Sequence, residues 1–454
     1  MAKYFGTDGF RGESNVNLTA DHAYKTGRFL GWYLRKVKES RGDDSPIRVV
    51  IGKDTRRSGY MLEYSLVGGL SASGCDAYLL HVTTTPCVSF ITRADGFDCG
   101  IMISASHNPY YDNGIKLFNS SGEKMSEEVT DRIEEYFDSD NMTLPFALRD
   151  KIGKTVDYIA GRNRYVGYLI SLGMHSFKGI RIGLDCANGS AWNIAKSVFE
   201  ALGASVYLIG AEPDGLNINR GVGSTHIENL CSFVRENNLD IGFAFDGDAD
   251  RCLCVDEKGQ VVDGDRILYI AAKYLKNKEQ LEGNCIVSTV MSNLGLDKAL
   301  EAEGIDNIRT QVGDRFVYEK IKEGGYKLGG EQSGHIIFSS YATTGDGLLT
   351  SLKVMEIMIS EKARLSELTA DFREYPQRTI NIGVKDKNKV LEKGSVKKAF
   401  SEAENMLGEK GRVLLRASGT EPVVRVMVEA SDKEICFSVA ESLADVIRKS
   451  ELTD

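Results

Sequence analysis

The feature that most constrains the fold is a unit that occurs three times along the chain. Each unit has a strand-like run, a helical pattern, a Gly and a second strand-like run. The units begin at "RVVIGKD", "GIRIGLDC" and "NCIVSTV", and their helical patterns end before Gly74, Gly203 and Gly304. A Gly just past a helix is the usual left-handed cap. Two strands joined by a helix indicate a parallel βαβ unit, so we predict three related α/β domains with parallel or mixed sheets.

The last part of the chain has a different pattern. Strand-like runs "RTINIGV", "GRVLLRAS" and "VVRVMVEAS" accompany two amphipathic helical stretches, which predicts a smaller C-terminal α+β domain. A chain of 454 residues is long enough for about three or four domains. We place the domains at 1–150, 151–256, 257–370 and 371–454. No low-complexity linker separates them, so we expect them to pack around a central cleft.

Composition excludes several classes of partner. The formal net charge is −9 and no polybasic block occurs, so we expect no nucleic acid and no membrane surface as partners. No apolar run approaches the roughly 18 residues of a membrane span, and no signal-peptide core follows the first Lys. The nine Cys are odd in number and lack C-x-x-C spacing, which is typical of buried free thiols. We therefore predict a soluble, cytoplasmic protein.

Three carboxylates follow an apolar run in "IGFAFDGDADRC". In an extended segment Asp246, Asp248 and Asp250 would project to the same side. Two unit charges at about 4 Å repel by roughly 4 kcal/mol at an effective dielectric near 20, so the cluster calls for a cation. An EF-hand loop would place its last ligand at Glu257, but Arg251 stands where that loop needs Gly. All-oxygen ligands with room for phosphate favour Mg²⁺.

A second motif, "GIMISASHNP", places Ser106 directly after another apolar run. Taken alone, Ser, Asn and Pro after a strand are ordinary turn residues. A third motif, "GGEQSGH", carries Glu331, Ser333 and His335 at alternate positions. These side chains supply the donors and acceptors that a sugar ring requires, although a hairpin edge would have the same pattern.

A fourth motif, "LLRASGTEPVVR", has the composition of a phosphate site. It combines two guanidinium groups, two hydroxyls and a Gly with an exposed backbone N–H. The residues concerned are Arg416, Ser418, Gly419, Thr420 and Arg425. The four motifs fall one in each predicted domain and are chemically complementary. This favours a reactive Ser106 over a purely structural one.

These motifs, with "FGTDGFRG" near the N-terminus, resemble the α-D-phosphohexomutase superfamily over essentially the whole chain. Within it they resemble the bacterial phosphoglucosamine mutases, chiefly through "FGTDGFRG" and Gln332 of "GEQSGH". The resemblance implies an isomerase, an intramolecular phosphotransferase that interconverts glucosamine 6-phosphate and glucosamine 1-phosphate. It also implies a phosphoserine enzyme and glucosamine 1,6-bisphosphate as intermediate and activator. Ala249 stands where many relatives have Gly, and we expect an ordinary backbone conformation there.

The resemblance also assigns roles to residues. Ser106 would carry the phosphoryl group, and one Mg²⁺ per chain would be held by Asp246, Asp248, Asp250 and the phosphoserine. The charge of the transferring group would be offset by Arg11 and Arg251. The candidates for proton exchange with the sugar are Lys116, His335 and, third, His107, for which we favour the simpler role of holding the serine loop in place. The sugar would contact Glu331 and Ser333, and the distal phosphate would be held by Arg416, Ser418, Gly419, Thr420 and Arg425.

The four domains then become a phosphoserine domain (1–150), a metal-binding domain (151–256), a sugar-binding domain (257–370) and a phosphate-binding lid domain (371–454). One alternative is the same chemistry on mannose or glucose phosphate. Another is a metal-dependent sugar phosphatase in which Ser106 is structural, and a third is a non-catalytic sugar-phosphate binding protein. We expect a sugar phosphate as the ligand and leave a homodimer open.

Overall fold

The computed structural model describes residues 3–139, 142–417 and 422–451. These residues form two compact units. The first runs up to Met291 and includes Asn307–Thr369, and the second contains Ser292–Asp306 and the chain from Ala370 onward. The described strands form four sheets of seven, five, four and three strands, with helices packed on them. The predicted α/β class with a smaller C-terminal α+β part is confirmed.

The first sheet has the strand order β1-β2-β6-β5-β3-β4-β7. Strand β3 is parallel to β4 and β5, and β6 is antiparallel to β5 and β2. Every residue of β5, "CGIMI", is buried, which explains its unbroken apolar sequence. The elements are β1 (Phe5–Gly6), β2 (Gly9–Glu13), α1 (Ala20–Ser40), β3 (Ile47–Lys53), α2 (Ser58–Ala72), β4 (Cys75–Val82), α3 (Thr85–Ala94), β5 (Cys99–Ile103), β6 (Asp112–Asn119), α4 (Glu127–Asp138) and β7 (Thr155–Asp157).

The second sheet has the order β12-β11-β10-β8-β9. Its central strand β10, "IGFAF", is buried throughout, runs parallel to β8 and is antiparallel to β11. The elements are α5 (Ile159–Ser171), β8 (Arg181–Asp185), α6 (Ala195–Ala201), β9 (Ser205–Ile209), α7 (Glu228–Glu236), β10 (Ile241–Phe245), β11 (Cys252–Val255) and β12 (Val261–Val262).

The third sheet has the order β14-β13-β15-β16, and β15 and β16 form an antiparallel hairpin. The buried Asp346 precedes helix α11, and its side chain accepts the N–H of Leu349 and so caps the helix. The elements are α8 (Gly264–Asn277), β13 (Cys285–Thr289), α9 (Leu294–Ala302), β14 (Asp306–Thr310), α10 (Asp314–Gly324), β15 (Leu328–Gly330), β16 (Ile336–Phe338), α11 (Gly347–Glu361) and α12 (Leu365–Leu368).

The second compact unit contains an antiparallel sheet of order β17-β19-β18. The start of α9 is bound to this sheet through Glu429, a fully buried carboxylate on β19. Glu429 accepts the N–H of Leu294 at 3.1 Å and pairs with Arg412 at 2.5 Å. The remaining elements are β17 (Gln377–Gly383), α13 (Lys387–Glu392), α14 (Gly394–Leu407), β18 (Gly411–Ala417), β19 (Val423–Ala430) and α15 (Lys433–Glu451).

The repeated unit has the predicted geometry. Gly74, Gly203 and Gly304 have φ values of +82°, +100° and +62°, the left-handed conformation that favours Gly. In the first two units the strands before and after the helix pair in parallel. All nine Cys are buried free thiols, as predicted. Within the described ranges, the helices lack the combination of length and hydropathy needed to cross a membrane.

Candidate active site

Ser106 lies in a strained turn just beyond the end of β5. It is fully buried and has φ +52°, a conformation that costs a non-Gly residue on the order of 1–3 kcal/mol. Its hydroxyl donates to Asp246 Oδ2 at 2.5 Å. Its N–H donates to Ser104 Oγ, and its carbonyl oxygen accepts from Asn219 Nδ2 at 2.8 Å. The turn therefore holds the hydroxyl against a carboxylate that is 140 residues away in the sequence.

Arg56, a residue that the sequence analysis missed, holds this turn in place. The guanidinium is fully buried and pairs with Asp54 at 2.8 Å between Nε and Oδ2. It also donates to four backbone carbonyls of the serine loop, those of Ser106, Asn108, Pro109 and Asp112. Buried carbonyls need such donors, so Arg56 offsets the cost of the irregular loop. The charged run "KDTRRS" directly after the buried β3 was the available signal.

The three aspartates follow β10 and converge, but not in the predicted way. Residues 247–250 form a turn, so the predicted extended segment with three aspartates on one side is wrong. The convergence itself is present, because one oxygen from each of Asp246, Asp248 and Asp250 lies within 4.8 Å of the others. All three residues are buried. The turn therefore brings the three carboxylates together, as we had expected an extended segment to do.

Ala249 corrects a second expectation. Its φ is +55°, in the left-handed region, and not the ordinary backbone conformation that we expected. The residue is fully buried, and its carbonyl accepts the N–H of Gly347 at 3.0 Å. A left-handed Ala costs roughly 1–2 kcal/mol more than Gly would, and the surrounding packing holds it there.

The electrostatics of the aspartate cluster fit a cation. Burial, Asp250 and Asp248 raise the pKa of Asp246 to about 8. The Lys116 ammonium lies 2.7 Å from Asp248 Oδ2 and 3.0 Å from Asp250 Oδ2. Within the described part of the chain, Oδ1 of Asp248 and Oδ1 of Asp250 are buried without a hydrogen-bond partner. Two carboxylate oxygens that accept no hydrogen bond, beside a third acid, are the donor set that a hard divalent cation takes.

Two arginines add positive charge near this cluster. Arg11, on β2, pairs with Asp8, and the backbone N–H of Arg251 donates to Asp246 Oδ1 at 3.2 Å. Burial alone would lower the pKa of Arg251, but Asp246 and Asp250 outweigh burial and raise this pKa above its ordinary value. The Nε atoms of Arg11 and Arg251 are buried and have no hydrogen-bond partner among the described residues. Such donors suit the oxygens of a phosphoryl group.

The three candidates for proton transfer differ in charge. Burial alone would lower the pKa of Lys116, but Asp248, Asp250 and Asp8 raise it well above its usual value. His107 Nδ1 lies 3.3 Å from Ser106 Oγ, and burial together with Arg251 lowers the pKa of this ring to about 4. In this arrangement His107 is neutral at neutral pH, whereas Lys116 is charged.

His335 lies between two carboxylates. Its Nε2 is 3.4 Å from Asp314 Oδ2, and its Nδ1 is 3.7 Å from Asp250 Oδ1. Burial opposes the charged ring, but Asp314 and Asp250 raise its pKa to about 9. The N–H of Gly345 also points at Nε2, at 2.9 Å, a contact that suits a neutral ring. Two carboxylates outweigh one amide dipole, so we expect an imidazolium at neutral pH.

The predicted sugar loop joins β15 to β16. The hairpin that we had considered as an alternative is therefore present, and Gly334 turns it with φ +91°. Glu331 is half-buried, its Oε1 accepts the N–H of Gly313 at 3.2 Å, and burial raises its pKa. Ser333 is exposed and His335 is buried. The hairpin thus brings Glu331 and His335 into the first unit's acidic and basic cluster.

Two residues of the predicted phosphate motif are described, and both lie in the second compact unit. Arg416 on β18 and Arg425 on β19 are directly opposite each other in the antiparallel register. Burial and the neighbouring Arg425 lower the pKa of Arg416. Like charges placed directly opposite each other repel, and an anion bound between them would relieve the repulsion. Ser418, Gly419 and Thr420 lie outside the described residues.

Four further residues contact this site and were not singled out from the sequence. Thr85, at the first turn of α3, donates its hydroxyl to Asp248 and its N–H to the Asp248 carbonyl at 2.9 Å. Asp8, Lys124 and Asp314 form ion pairs with Lys116, His335 or one another. Asp8 lies in "FGTDGFRG", which served only as evidence of resemblance, and the other three had no local signal.

The first unit defines an α/β phosphoryl-transfer enzyme, because it holds a hydroxyl against a carboxylate cluster flanked by guanidinium groups. The chain belongs to the phosphoglucomutase/phosphomannomutase family. Models of the family's alpha/beta/alpha domains I, II and III and of its C-terminal domain match residues 2–143, 163–259, 263–375 and 380–446. The predicted class, an isomerase of the phosphohexomutase type, is confirmed.

Similar proteins agree with this assignment. The phosphoglucosamine mutase of Lachnospira eligens is 62% identical, over 99% of both chains. A solved phosphoglucomutase/phosphomannomutase family protein from Burkholderia thailandensis has a TM-score of 0.82 at 24% identity, covering 100% of this chain and 99% of that one. Aspergillus fumigatus N-acetylphosphoglucosamine mutase, solved in complex with GlcNAc-6P and magnesium, has a TM-score of 0.69 at 17% identity over 99% and 96%. The two structures indicate the same fold.

Proposed function

We propose that the chain interconverts glucosamine 6-phosphate and glucosamine 1-phosphate, with Ser106 as the phosphoryl carrier. The observation that carries the proposal is the 2.5 Å hydrogen bond from Ser106 Oγ to Asp246 in the buried carboxylate cluster. A serine that only shaped a turn would not need its hydroxyl against a buried carboxylate cluster that could hold a cation. The similarity to a phosphoglucosamine mutase over nearly the full length supports the choice of substrate.

In the proposed reaction Ser106 starts as phosphoserine. The free hydroxyl of glucosamine 6-phosphate attacks the phosphorus, and a new O–P bond forms as the bond to Ser106 Oγ breaks. The hydroxyl proton passes to a base of the enzyme. Glucosamine 1,6-bisphosphate then turns around, and Ser106 Oγ attacks the phosphorus at C6 and gives its proton to a base of the enzyme. The O–P bond to the C6 oxygen breaks as the bond to Ser106 forms, that oxygen takes up a proton, and glucosamine 1-phosphate leaves. Bisphosphate that binds to unphosphorylated enzyme would restore the phosphoserine, which is how it would act as an activator.

We propose that one Mg²⁺ per chain binds to Asp246, Asp248, Asp250 and a phosphoserine oxygen. The Oδ1 atoms of Asp248 and Asp250, which are buried and accept no hydrogen bond from the described residues, support this ligand set. When bound, the ion would supply positive charge at the transferring group and would compete with Lys116 for the carboxylates. Arg11 and Arg251 have buried Nε donors that can bind the equatorial phosphoryl oxygens.

The proton is handled by Lys116 or His335 in this proposal. Lys116 reaches the carboxylate cluster from β6 and His335 from the sugar hairpin, and both are almost fully buried. A charged group can return a proton to a departing oxygen, and its deprotonated form can accept one. His107, neutral and 3.3 Å from Ser106 Oγ, orients the hydroxyl.

The sugar and the second phosphate use other residues. Glu331 is the proposed acceptor for sugar hydroxyls and for the C2 ammonium, with Ser333 beside it. The facing pair Arg416 and Arg425 supports a site for the phosphate that is not reacting. Ser418, Gly419 and Thr420 complete this site in the proposal.

The domain assignments are proposals of the same kind. We propose a phosphoserine domain at 1–150, a metal-binding domain at 151–256, a sugar-binding domain at 257–370 and a phosphate-binding lid at 371–454. The four matched ranges support a division into four. We also propose a cytoplasmic location, which the nine buried free thiols support. A homodimer stays open, and light scattering of the purified protein tests it.

The decisive experiment on Ser106 is the intact mass of the purified protein. Wild type should carry the mass of one phosphate, and Ser106→Ala should lose it together with nearly all turnover. Ser120→Ala is the matched control, because it removes a hydroxyl from an exposed serine just after β6 and should keep the added mass. Near-native turnover in Ser106→Ala would contradict the mechanism. A metal-dependent phosphatase would instead release inorganic phosphate from the substrate.

The substrate is tested by comparing kcat/KM for glucosamine, glucose and mannose 6-phosphates on the same phosphorylated enzyme. We expect the highest value for glucosamine 6-phosphate. Glu331→Gln should lower kcat/KM for glucosamine 6-phosphate more than it lowers kcat/KM for glucose 6-phosphate. The reason is that the amide cannot form a charge-assisted bond with an ammonium. A higher kcat/KM for glucose or mannose 6-phosphate would contradict the substrate assignment while leaving Ser106 and the metal site intact.

A further inference from the structure

Six alternating charges form a closed ring in the first compact unit. We call it the charge ring, and its members in order are Lys116, Asp8, Lys124, Asp314, His335 and Asp250. Each member lies between 2.6 and 3.7 Å from the next, measured between nitrogen and oxygen atoms. Three members, Lys116, His335 and Asp250, belong to the proposed reaction site. The other three have no role in the proposed mechanism.

Lys124 is the member that joins the other two. It lies in the connection between β6 and α4, and its side chain is only 19% exposed. The ammonium donates to Asp8 Oδ1 at 2.7 Å, to Asp314 Oδ1 at 2.6 Å and to the Thr7 carbonyl at 3.1 Å. All three hydrogens of the ammonium are therefore used, which fixes the side chain in one geometry.

The two carboxylates that Lys124 joins each hold a proton-transfer candidate with their other oxygen. Asp8 Oδ2 lies 3.1 Å from Lys116 Nζ, and Asp314 Oδ2 lies 3.4 Å from His335 Nε2. Asp8 precedes β2 of the first sheet, whereas Asp314 begins α10 beside the third sheet. Lys124 thus connects the carboxylate behind Lys116 to the carboxylate behind His335.

We propose that Lys124 is a positioning residue, which sets Asp8 and Asp314 and through them the placement of Lys116 and His335 at the reaction site. Without the ammonium, the carboxylates of Asp8 and Asp314 would lack their shared counter-ion, and each would be free to draw its cationic partner away from the reacting groups. A displacement of about 1 Å at reacting groups can cost on the order of 100-fold in rate. The inference rests on the proposed function, because it assumes that Lys116 and His335 handle the proton there.

The test compares Lys124→Met with a matched control, Lys322→Met. Lys322 forms a similar ion pair, at 2.7 Å to Glu123 in the same connection, but its side chain is 63% exposed. The control removes one ammonium from the same region without touching the charge ring. Lys124→Met should lower kcat by about 10- to 100-fold with little change in KM, since Lys124 contacts no substrate in the proposal. Lys322→Met should keep wild-type kcat, and Lys124→Arg should recover much of the loss.

A double-mutant cycle with Asp314→Asn shows whether Lys124 and Asp314 act together. If they do, adding Lys124→Met to Asp314→Asn should cost much less than it does in wild type. Equal kcat in Lys124→Met and Lys322→Met, or a full additive loss in the double variant, would overturn the proposal. If Lys124→Met fails to fold, Asp314→Asn and Lys124→Arg replace it. The proposal then expects Asp314→Asn to lower kcat with little change in KM and Lys124→Arg to keep more of the wild-type kcat, and a wild-type kcat in Asp314→Asn would overturn it. An inactive wild type with every hexose 6-phosphate would instead contradict the proposed function itself.

Discussion

The pH dependence of stability in the metal-free protein should expose the repulsion within the aspartate cluster. Burial, Asp250 and Asp248 raise the pKa of Asp246 from an ordinary value near 3.8 to about 8. The folded state therefore binds more protons than the unfolded state between these values, and stability must fall as pH rises through this window. Asp246→Asn removes the titrating group and should remove this part of the pH dependence.

The size of the effect follows from the linkage relation. One proton bound in the folded state and not in the unfolded state changes the free energy of unfolding by about 1.4 kcal/mol per pH unit. Both pH 5 and pH 7 lie inside this window. Between them, the free energy of unfolding of the chelated and dephosphorylated wild type should fall by about 3 kcal/mol relative to that of Asp246→Asn. Adding Mg²⁺ should abolish most of the difference, because the ion replaces the proton.

The assay is reversible urea unfolding at pH 5, 6 and 7, with EDTA and then with Mg²⁺. Asp131→Asn is the control, because Asp131 is an exposed carboxylate on α4. The difference in free energy of unfolding between this variant and wild type should not change with pH. Parallel stability curves for wild type and Asp246→Asn without metal would refute the reasoning. They would mean that the three carboxylates are not close enough to repel in solution.

Further predictions concern the supports of the site. Arg56→Met should destabilise the protein by at least about 3 kcal/mol in urea unfolding, because it leaves Asp54 buried without its partner. The neighbouring Arg57→Met, at an exposed position, should cost less than about 0.5 kcal/mol, and similar losses in both would contradict the role of Arg56. Arg416→Ala should raise KM and release bisphosphate into solution during turnover; equal loss of binding for phosphorylated and unphosphorylated sugar would show that this is not a phosphate site. Exhaustive chelation should abolish turnover, and full activity without metal would mean that the aspartate cluster has another role.

Local sequence was sufficient for the elements that position the proposed site. The apolar runs of β5 and β10 predicted buried strands, and the polar residues directly after them predicted where Ser106 and Asp246 would emerge. This worked because a strand buried on both faces must be apolar throughout, and reactive groups can follow only where it ends. The Gly after each repeated helix was equally reliable, because a left-handed residue at that place strongly favours Gly.

Local sequence was misleading where conformation depends on distant packing. Ala249 adopts a left-handed conformation although its side chain disfavours it, because neighbouring groups such as Gly347 hold the loop. The aspartates converge through a turn, whereas the alternation argument assumed a strand. At Ala249 tertiary contacts outweigh a backbone preference of only about 1–2 kcal/mol.

By itself, the sequence determined the class of fold and the positions of the proposed site motifs, since each depends on residues close together in the chain. The tertiary structure alone decided that Ser106 Oγ meets Asp246, that Lys116 is held by three carboxylates and that Arg56 supports the serine loop. It also decided which side chains are charged, because a pKa depends on burial and on neighbours that lie a hundred or more residues away. Asp8, Lys124 and Asp314 show the difference most clearly, since each is an ordinary charged residue in its own stretch, and only folding joins them into one ring.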